Sequence, residues 1–261
     1  MGEKMETFVL DKKSGAQVSC VQEIPENLKG IAIVLHGFAS SKESDTVRML
    51  LRRFPEAGIG VVAIDQPAHG EAESAREELR IEACKDSLAA AEAYVTAHWP
   101  EQEIFYFGSS FGAYITGLYI STRPHKGRKV FFRSGAVNMP TLFIKDDPTE
   151  AEKKLLQDLE EKGYMQPSLD LGSPIRVTKA MMGDLAENDL FAIFDPKIYG
   201  SHAVRMVHGA QDDVIDPEAA KRFAEQFDIP ITFFAGEGHS ISNDPQSPER
   251  LADLAIEWFL S

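Results

Sequence analysis

The run Ile31-Ala32-Ile33-Val34-Leu35 is apolar at every position, so a strand built from it must be covered on both faces. Such a strand belongs in a parallel sheet with helices packed on either side. Gly60 to Ile64 reads as the next buried strand, and Ile104 to Phe107, Lys129 to Phe132, Ala203 to Val207 and Ile231 to Phe234 continue the series. Amphipathic stretches alternate with them. Glu43 to Phe54 predicts a helix burying Met49, Leu50 and Phe54. The Ala-rich segment Leu79 to His98 places Ile81, Cys84, Leu88, Ala91 and Val95 on one stripe, and Pro100 stops it. Helices are also predicted over Gly112 to Ile120, Pro217 to Phe227 and Pro248 to Phe259. Thr7 to Leu10 and Gln17 to Ile24 make an opening hairpin around Lys13-Ser14-Gly15. This order predicts an α/β fold: a mostly parallel sheet with helices on both faces and right-handed crossovers.

The alternation breaks once. Between Asn138 and Gly200 the strands stop, and Thr149 to Lys162 and Val177 to Leu185 read as helices, with Pro167, Gly172 and Pro174 between them. So long an interruption inside a compact domain is usually functional. Residues 1–137 and 201–261 are therefore expected to form the core and 138–200 an inserted helical cap. A separate small domain or a disordered insert remains the alternative.

Composition narrows the function. The chain has 261 residues, 43% apolar and 26% charged, with a formal net charge of 27 − 41 = −14. It can bury a substantial core without disulfides or metal, and its acidic balance argues against nucleic acid or an anionic membrane as partner. Cys20 and Cys84 lie far apart and fit free thiols in a reducing compartment. The start, MGEKMETFVL, is charged and lacks the apolar stretch of a secretory signal. The longest apolar runs are too short to span a bilayer, so a cytoplasmic protein is expected. The sequence leaves a homo-oligomer open.

Gly108-Ser109-Ser110-Phe111-Gly112 fits G-x-S-x-G, with a buried strand ending at it and a helix beginning after it. That placement is what a nucleophile elbow requires, and the spacing of the glycines selects Ser110 over Ser109. A serine hydroxyl attacks at neutral pH only if a base takes its proton. His239 is the candidate, late in the chain, after the last strand and in the loop Gly236-Glu237-Gly238. His36 and His208 end strands beside glycines and are expected to hydrogen-bond structurally; His98 and His125 read as surface residues, and His202 as a residue near the cap hinge. An imidazole in this role needs a carboxylate partner. His208-Gly209-Ala210-Gln211-Asp212-Asp213 supplies two, of which Asp212 is preferred and Asp213 is the alternative. Attack on an acyl carbon places charge on its oxygen, for which backbone N–H donors are efficient. Those of Phe38, after strand Ile31 to Leu35, and of Phe111 are the candidates.

The motifs HGF (36–38), DQPAHG (65–70), GSSFG (108–112), HGAQDD (208–213) and GEGH (236–239) together resemble the α/β-hydrolase superfamily over essentially the whole chain. The order Ser110, Asp212, His239 is that superfamily's order of nucleophile, acid and base. DQPAHG resembles its D-x-x-G-H-G segment, with Ala68 at the first Gly. That segment is structural there, so Asp65 and His69 receive no catalytic role. Size, the HGF loop and a cap between the sixth and seventh strands resemble bacterial carboxylesterases of the cinnamoyl-esterase and monoacylglycerol-lipase kind, with Ser109 standing where their elbow commonly has His. A dienelactone hydrolase would carry Cys at the nucleophile and a haloalkane dehalogenase Asp.

The resemblance implies a serine hydrolase cleaving carboxylic esters of small molecules, with no metal or organic cofactor. Met139, Leu142, Phe143, Phe191, Phe194 and Tyr199 are candidates for an apolar pocket roof, or for simple packing of the cap. Asp146, Asp147, Glu150 and Glu152 suit either a free amine, as an aminopeptidase would need, or a solvated helix face. A thioesterase would use the same machinery, a lyase would use the scaffold for C–C cleavage, and a non-catalytic binding protein would keep only the pocket.

Overall fold

The β-branched and aromatic runs form an eight-stranded sheet in a computed structural model, which describes residues 5–70, 78–167, 175–198 and 203–261. The strands are β1 (Glu6–Asp11), β2 (Gln17–Glu23), β3 (Gly30–Leu35), β4 (Ile59–Ile64), β5 (Ile104–Ser109) and β6 (Gly127–Arg133). A two-residue pair, β7 (Tyr164–Met165) and β8 (Val177–Thr178), stands apart from the sheet, which β9 (Ala203–Gly209) and β10 (Ile231–Phe234) complete. Their order is β1-β2-β4-β3-β5-β6-β9-β10. The hairpin β1–β2 is antiparallel, turning at Gly15 with φ 85°, and β2 joins β4 antiparallel. From β4 to β10 every pairing is parallel.

Helices cover both faces, as the all-buried β3 and β4 demand. On one face α1 (Asp45–Glu56) packs with a late chain helix, Ser247–Leu260, burying Leu50, Phe54, Leu251 and Phe259 against Phe105, Phe107 and Phe131. The Phe105 and Phe259 rings stack at 4.8 Å. Of the α1 residues expected inside, Met49 is only half-buried. The opposite face carries α2 (Ile81–His98) and α3 (Phe111–Thr122), with the predicted α2 stripe fully buried.

The segment between β6 and β9 holds α4 (Met139–Phe143), α5 (Glu150–Lys162), α6 (Lys179–Glu187) and α7 (Leu190–Ile193); α8 (Pro217–Gln226) and α9 (Ser247–Leu260) follow β9 and β10. Thr149 and Glu152 form a capping box on α5, and Gly163 ends it at φ 80°. Against the helix expected over Val177 to Leu185, Val177 and Thr178 pair with Tyr164 and Met165, because both are β-branched and Thr178 is itself the N-cap of α6, accepting from Met181 N–H.

The segment between β6 and β9 is tied to α2 and α3 by polar groups as well as by packing. Asp184 of α6 takes Arg80 side-on at 2.7 Å to each oxygen and also accepts the Ile81 N–H at 3.0 Å. It therefore caps α2, whose own N-cap residue Arg80 makes no side-chain cap bond. Tyr114 Oη donates to Asn188 O at 2.6 Å, and the Leu190 side chain seats on Gly117, where an added Cβ would lie 3.0 Å away. Among the described residues no helix is long and apolar enough to cross a membrane.

Candidate active site

Ser110 sits between the last residue of β5 and the first of α3, at φ 53° and ψ −115°. A non-glycine residue there is strained by about 1–3 kcal/mol, so the surroundings must hold it. They do so through the backbone: Ser110 N–H donates to Arg133 O at 2.9 Å, and Ser110 O accepts from Ala113 at 3.0 Å and Ala136 at 3.1 Å. The flanking glycines admit no substitute. A Cβ on Gly108 would lie 2.6 Å from Ala113 Cα, and one on Gly112 would lie 2.3 Å from Leu35 O. Gly37 leaves the same kind of room on the other side, 3.2 Å from Ser110 Cβ.

Ser110 Oγ lies 3.0 Å from His239 Nε2, and His239 Nδ1 lies 2.8 Å from Asp212 Oδ2. The His239 loop can reach this position because Gly209, at the end of β9, has no side chain; a Cβ would stand 2.2 Å from Gly238 O. Ser134 Oγ donates to His239 O at 2.9 Å, and buried Glu237 gathers the N–H groups of Asn243 and Asp244 at 2.8 Å each. Asp212 is buried and Asp213 is exposed, so only the first faces the imidazole.

Asp212 holds more than His239. Its Oδ1 accepts from Val214 and Ile215 N–H at 2.9 Å each, and its Oδ2 also meets His208 Nε2 at 3.0 Å. His208 Nε2 also lies 3.1 Å from Ile215 O, so with two acceptors before it this nitrogen carries the proton. Burial pushes the Asp212 carboxyl up, but the hydrogen bonds from His208, His239 and Ile215 outweigh it and hold it well below the ordinary range. The expected structural bond of His208 thus turns out to reach the acid itself. Only its place in HGAQDD, four residues before Asp212, hinted at this.

Phe38 and Phe111 are buried side by side with rings edge to face at 6.0 Å. Among the described residues neither backbone N–H has a protein acceptor. The loop carrying Phe38 is shaped by the DQPAHG segment. Asp65 accepts Lys42 N–H at 2.7 Å and pairs with Lys42 Nζ at 3.2 Å, while His36 Nε2 accepts Gln66 N–H at 3.0 Å. His69 Nδ1 donates to Pro67 O at 2.7 Å, and its ring lies against Phe38 and Phe111. Burial pushes His36 down to about 4 and His69 down to about 3, so both are neutral at physiological pH. Ala68, at the segment's first Gly position, keeps a glycine-like φ of 65°.

Two cavities reach Ser110 and Phe38. The larger, about 660 Å³, runs under the insertion and is lined by Met139, Leu142, Phe143, Leu155, Met165 and Val214. The smaller, about 330 Å³, opens on the α1 side and is lined by Ser109, Arg133, Ser40, Thr46, Met49 and Ser242. Phe191 and Phe194 line neither, correcting the sequence expectation; their rings pack on Phe223, and Phe194 also on Phe227, because α7 lies against α8. Tyr199 and His202 lie outside the described residues. His125 is half-buried between the Tyr106 and Tyr119 rings rather than on the surface, whereas His98 is exposed. Leu155 and Met165 escaped notice because nothing local marks which side of a helix or ribbon faces a cavity. Arg133 had a signal: it closes the apolar run Val130 to Phe132.

Of the acidic residues considered for a free amine, Glu152 lines the larger cavity but is engaged by Lys145 at 2.5 Å and by the Thr149 cap. Glu150 pairs with Lys153 at 2.6 Å, and Asp146 and Asp147 are exposed.

A family model described as serine aminopeptidase, S33, matches residues 26–193. No curated protein sequence matches. Among solved structures, a protein of Agrobacterium vitis S4 described as a hydrolase superposes with TM-score 0.80 at 18% identity, over 99% of each chain. Est1E from Butyrivibrio proteoclasticus, with ferulic acid bound, gives 0.77 at 15% identity over 97% of this chain and 100% of its own. The esterase domain of a Rhodothermus marinus protein gives 0.70 at 16% identity over 98% and 99%. At these identities the likeness is one of fold, the α/β-hydrolase fold.

Proposed function

Because the chain belongs to the hydrolase family described as serine aminopeptidase, S33, we propose that it is a serine hydrolase that cleaves carboxylic esters through an acyl-enzyme on Ser110. The observation that carries this reading is the unbroken hydrogen-bonded path from Ser110 Oγ through His239 to Asp212. His239 Nε2 takes the hydroxyl proton as Oγ attacks the ester carbonyl, and Asp212 holds the imidazole in the tautomer with hydrogen on Nδ1. The amides of Phe38 and Phe111 receive the charge that gathers on the carbonyl oxygen. His239 then gives its proton to the departing alcohol. Water, deprotonated by the same nitrogen, attacks the acyl-enzyme and releases the acid and Ser110.

An ester is favoured over a peptide bond by the larger cavity, whose apolar lining suits an acyl or aromatic group beside Ser110. Est1E, which shares the fold, binds ferulic acid, and an aromatic acyl ester therefore belongs among the substrates tried. The amine-binding alternative loses its best residue, since Glu152 is already neutralised by Lys145. A thioester would pass through the same steps. The same reading treats the core as residues 1–137 and 201–261, with 138–200 as a cap that roofs the site.

The test is kcat/KM for wild type and Ser110→Ala on one panel: short and long acyl esters, a cinnamoyl ester, a thioester and an aminoacyl anilide. Esters should be turned over fastest, and Ser110→Ala should lose on the order of a thousandfold or more while staying folded. Near-normal turnover by Ser110→Ala, or preference for the anilide, overturns the reading. A binding protein without chemistry would hold ligands equally well in both and turn over nothing.

A further inference from the structure

Resting on that reading of Ser110, we propose that the smaller cavity is an anion subsite in which Arg133 receives a carboxylate carried by the substrate, making acid-bearing esters the preferred class.

Arg133 is the last residue of β6, only 6% exposed, and pairs in register with Ser109 of β5. Its Nη1 donates to Ser109 Oγ at 2.8 Å. Among the described residues Nε and Nη2 meet no acceptor, and no carboxylate lies within ion-pairing distance. Burial pushes the group down to about 10, opposed by the more distant charge of Asp212, so it stays protonated at neutral pH. Taking a guanidinium out of water without a partner is unfavourable, so an unpaired buried one needs a reason. Bonding a serine hydroxyl does not require a charged donor. Nε–H and the adjacent Nη2–H lie along one edge of the guanidinium, the fork that carboxylates accept bidentately, and this is the edge left unpaired.

Arg133 lines the smaller cavity together with Ser110 and His239, and its own carbonyl holds the Ser110 N–H, so the guanidinium is tied to the nucleophile's position. A second feature points the same way. The N-terminus of α1 lines the cavity at Ser44 to Val47, and the N–H groups of Asp45 and Thr46 have no acceptor among the described residues. Among the described residues Asp45 is the one carboxylate on the lining, and it is exposed at the first turn of α1. At about 330 Å³ the space holds a carboxylate on a short arm, since a water takes up about 30 Å³. Ser109, which departs from the common elbow pattern, is then the residue that holds Nη1 and leaves the fork free.

The test compares two matched ester pairs, which separate an acid on the acyl side from one on the alcohol side. These are mono-p-nitrophenyl adipate against p-nitrophenyl hexanoate, and p-acetoxybenzoate against phenyl acetate. In wild type one acid-bearing member should exceed its neutral partner in kcat/KM by about tenfold or more, and Arg133→Met should collapse that ratio by a similar factor. Ratios near one in wild type overturn the proposal. So does Arg133→Met if both members of a pair fall together, as they would were Arg133 only a strut between β5 and β6. Should Arg133→Met fail to fold, competitive inhibition of wild type on hexanoate ester by glutarate, but not by glutaramide, decides the matter. If wild type turns over no ester, the reading of Ser110 fails, while glutarate binding by calorimetry still tests the subsite on its own.

Discussion

The carboxyl ends of two neighbouring strands, β9 and β6, treat a buried charge in opposite ways. Beyond β9, the two oxygens of Asp212 receive four donors, and the carboxylate is held ionised with nothing left to offer. At the end of β6, Arg133 is as deeply buried and spends one of its N–H groups on a serine. Buried charges are normally paired, so the satisfied one belongs to the internal machinery and the unsatisfied one waits for a group from outside. Degree of satisfaction, rather than burial or proximity to Ser110, separates a residue that positions from one that receives.

The largest effect is expected at Asp212. Asp212→Asn should lower kcat/KM on the order of a thousandfold by presenting the wrong hydrogen-bond partner to His239. Asp213→Asn, altering an exposed neighbour, should stay within about threefold, inside the small range of surface substitutions. The reverse ranking in ester assays would move the acid. Next comes His208, a positioning residue that acts through Asp212. His208→Phe removes one hydrogen bond to a charged group and should lower kcat/KM about tenfold or more. His208→Gln, which keeps an N–H donor toward Asp212, should recover most of that loss. An equal loss in His208→Gln and His208→Phe would make His208 structural only.

Stability against pH tests a third treatment of buried charge, in which the group gives it up. His36 and His69 are neutral in the fold, with values near 4 and 3 against 6.5 when unfolded. Below pH 6.5 the unfolded chain therefore binds more protons, and the urea midpoint should fall as pH drops through that window. The slope should be about 1.4 kcal/mol per pH unit for each histidine. Asp212, shifted in the ordinary carboxylate direction, contributes stability above its unfolded value and loses it only at still lower pH. A flat midpoint from pH 7 to 5 would sink the account of the two histidines. The smallest effect is expected at Ala68→Gly, which relieves a positive φ and should raise stability by up to about 1 kcal/mol, read as a few degrees in Tm.

What could be read in advance follows from how local each signal is. Strand ends are marked by apolar runs, and Ser110, Asp212 and His239 all follow such ends, so their meeting was legible. The elbow glycines were legible because they sit against one strand and one helix. The partners of His208 and Arg133 were not, since they depend on how a chain folds back or on cross-strand register. Phe191 and Phe194 were misplaced for the same reason: an aromatic residue in a short helix fits a pocket roof and a helix contact equally well until its neighbour, here α8, is known. The β7–β8 pair is two residues long and non-local, which leaves no period to detect.

The carboxylate with which Asp184 caps α2 carries a consequence for engineering. The second half of the insertion is part of the scaffold, because its removal would uncap a core helix and free Arg80 together with it. A graft intended to change what the enzyme accepts should therefore be cut at Met139 and Lys162, around α4 and α5, leaving Asp184, Asn188 and Leu190 with their host. In a chimera the transferable module is smaller than the interruption in the sheet.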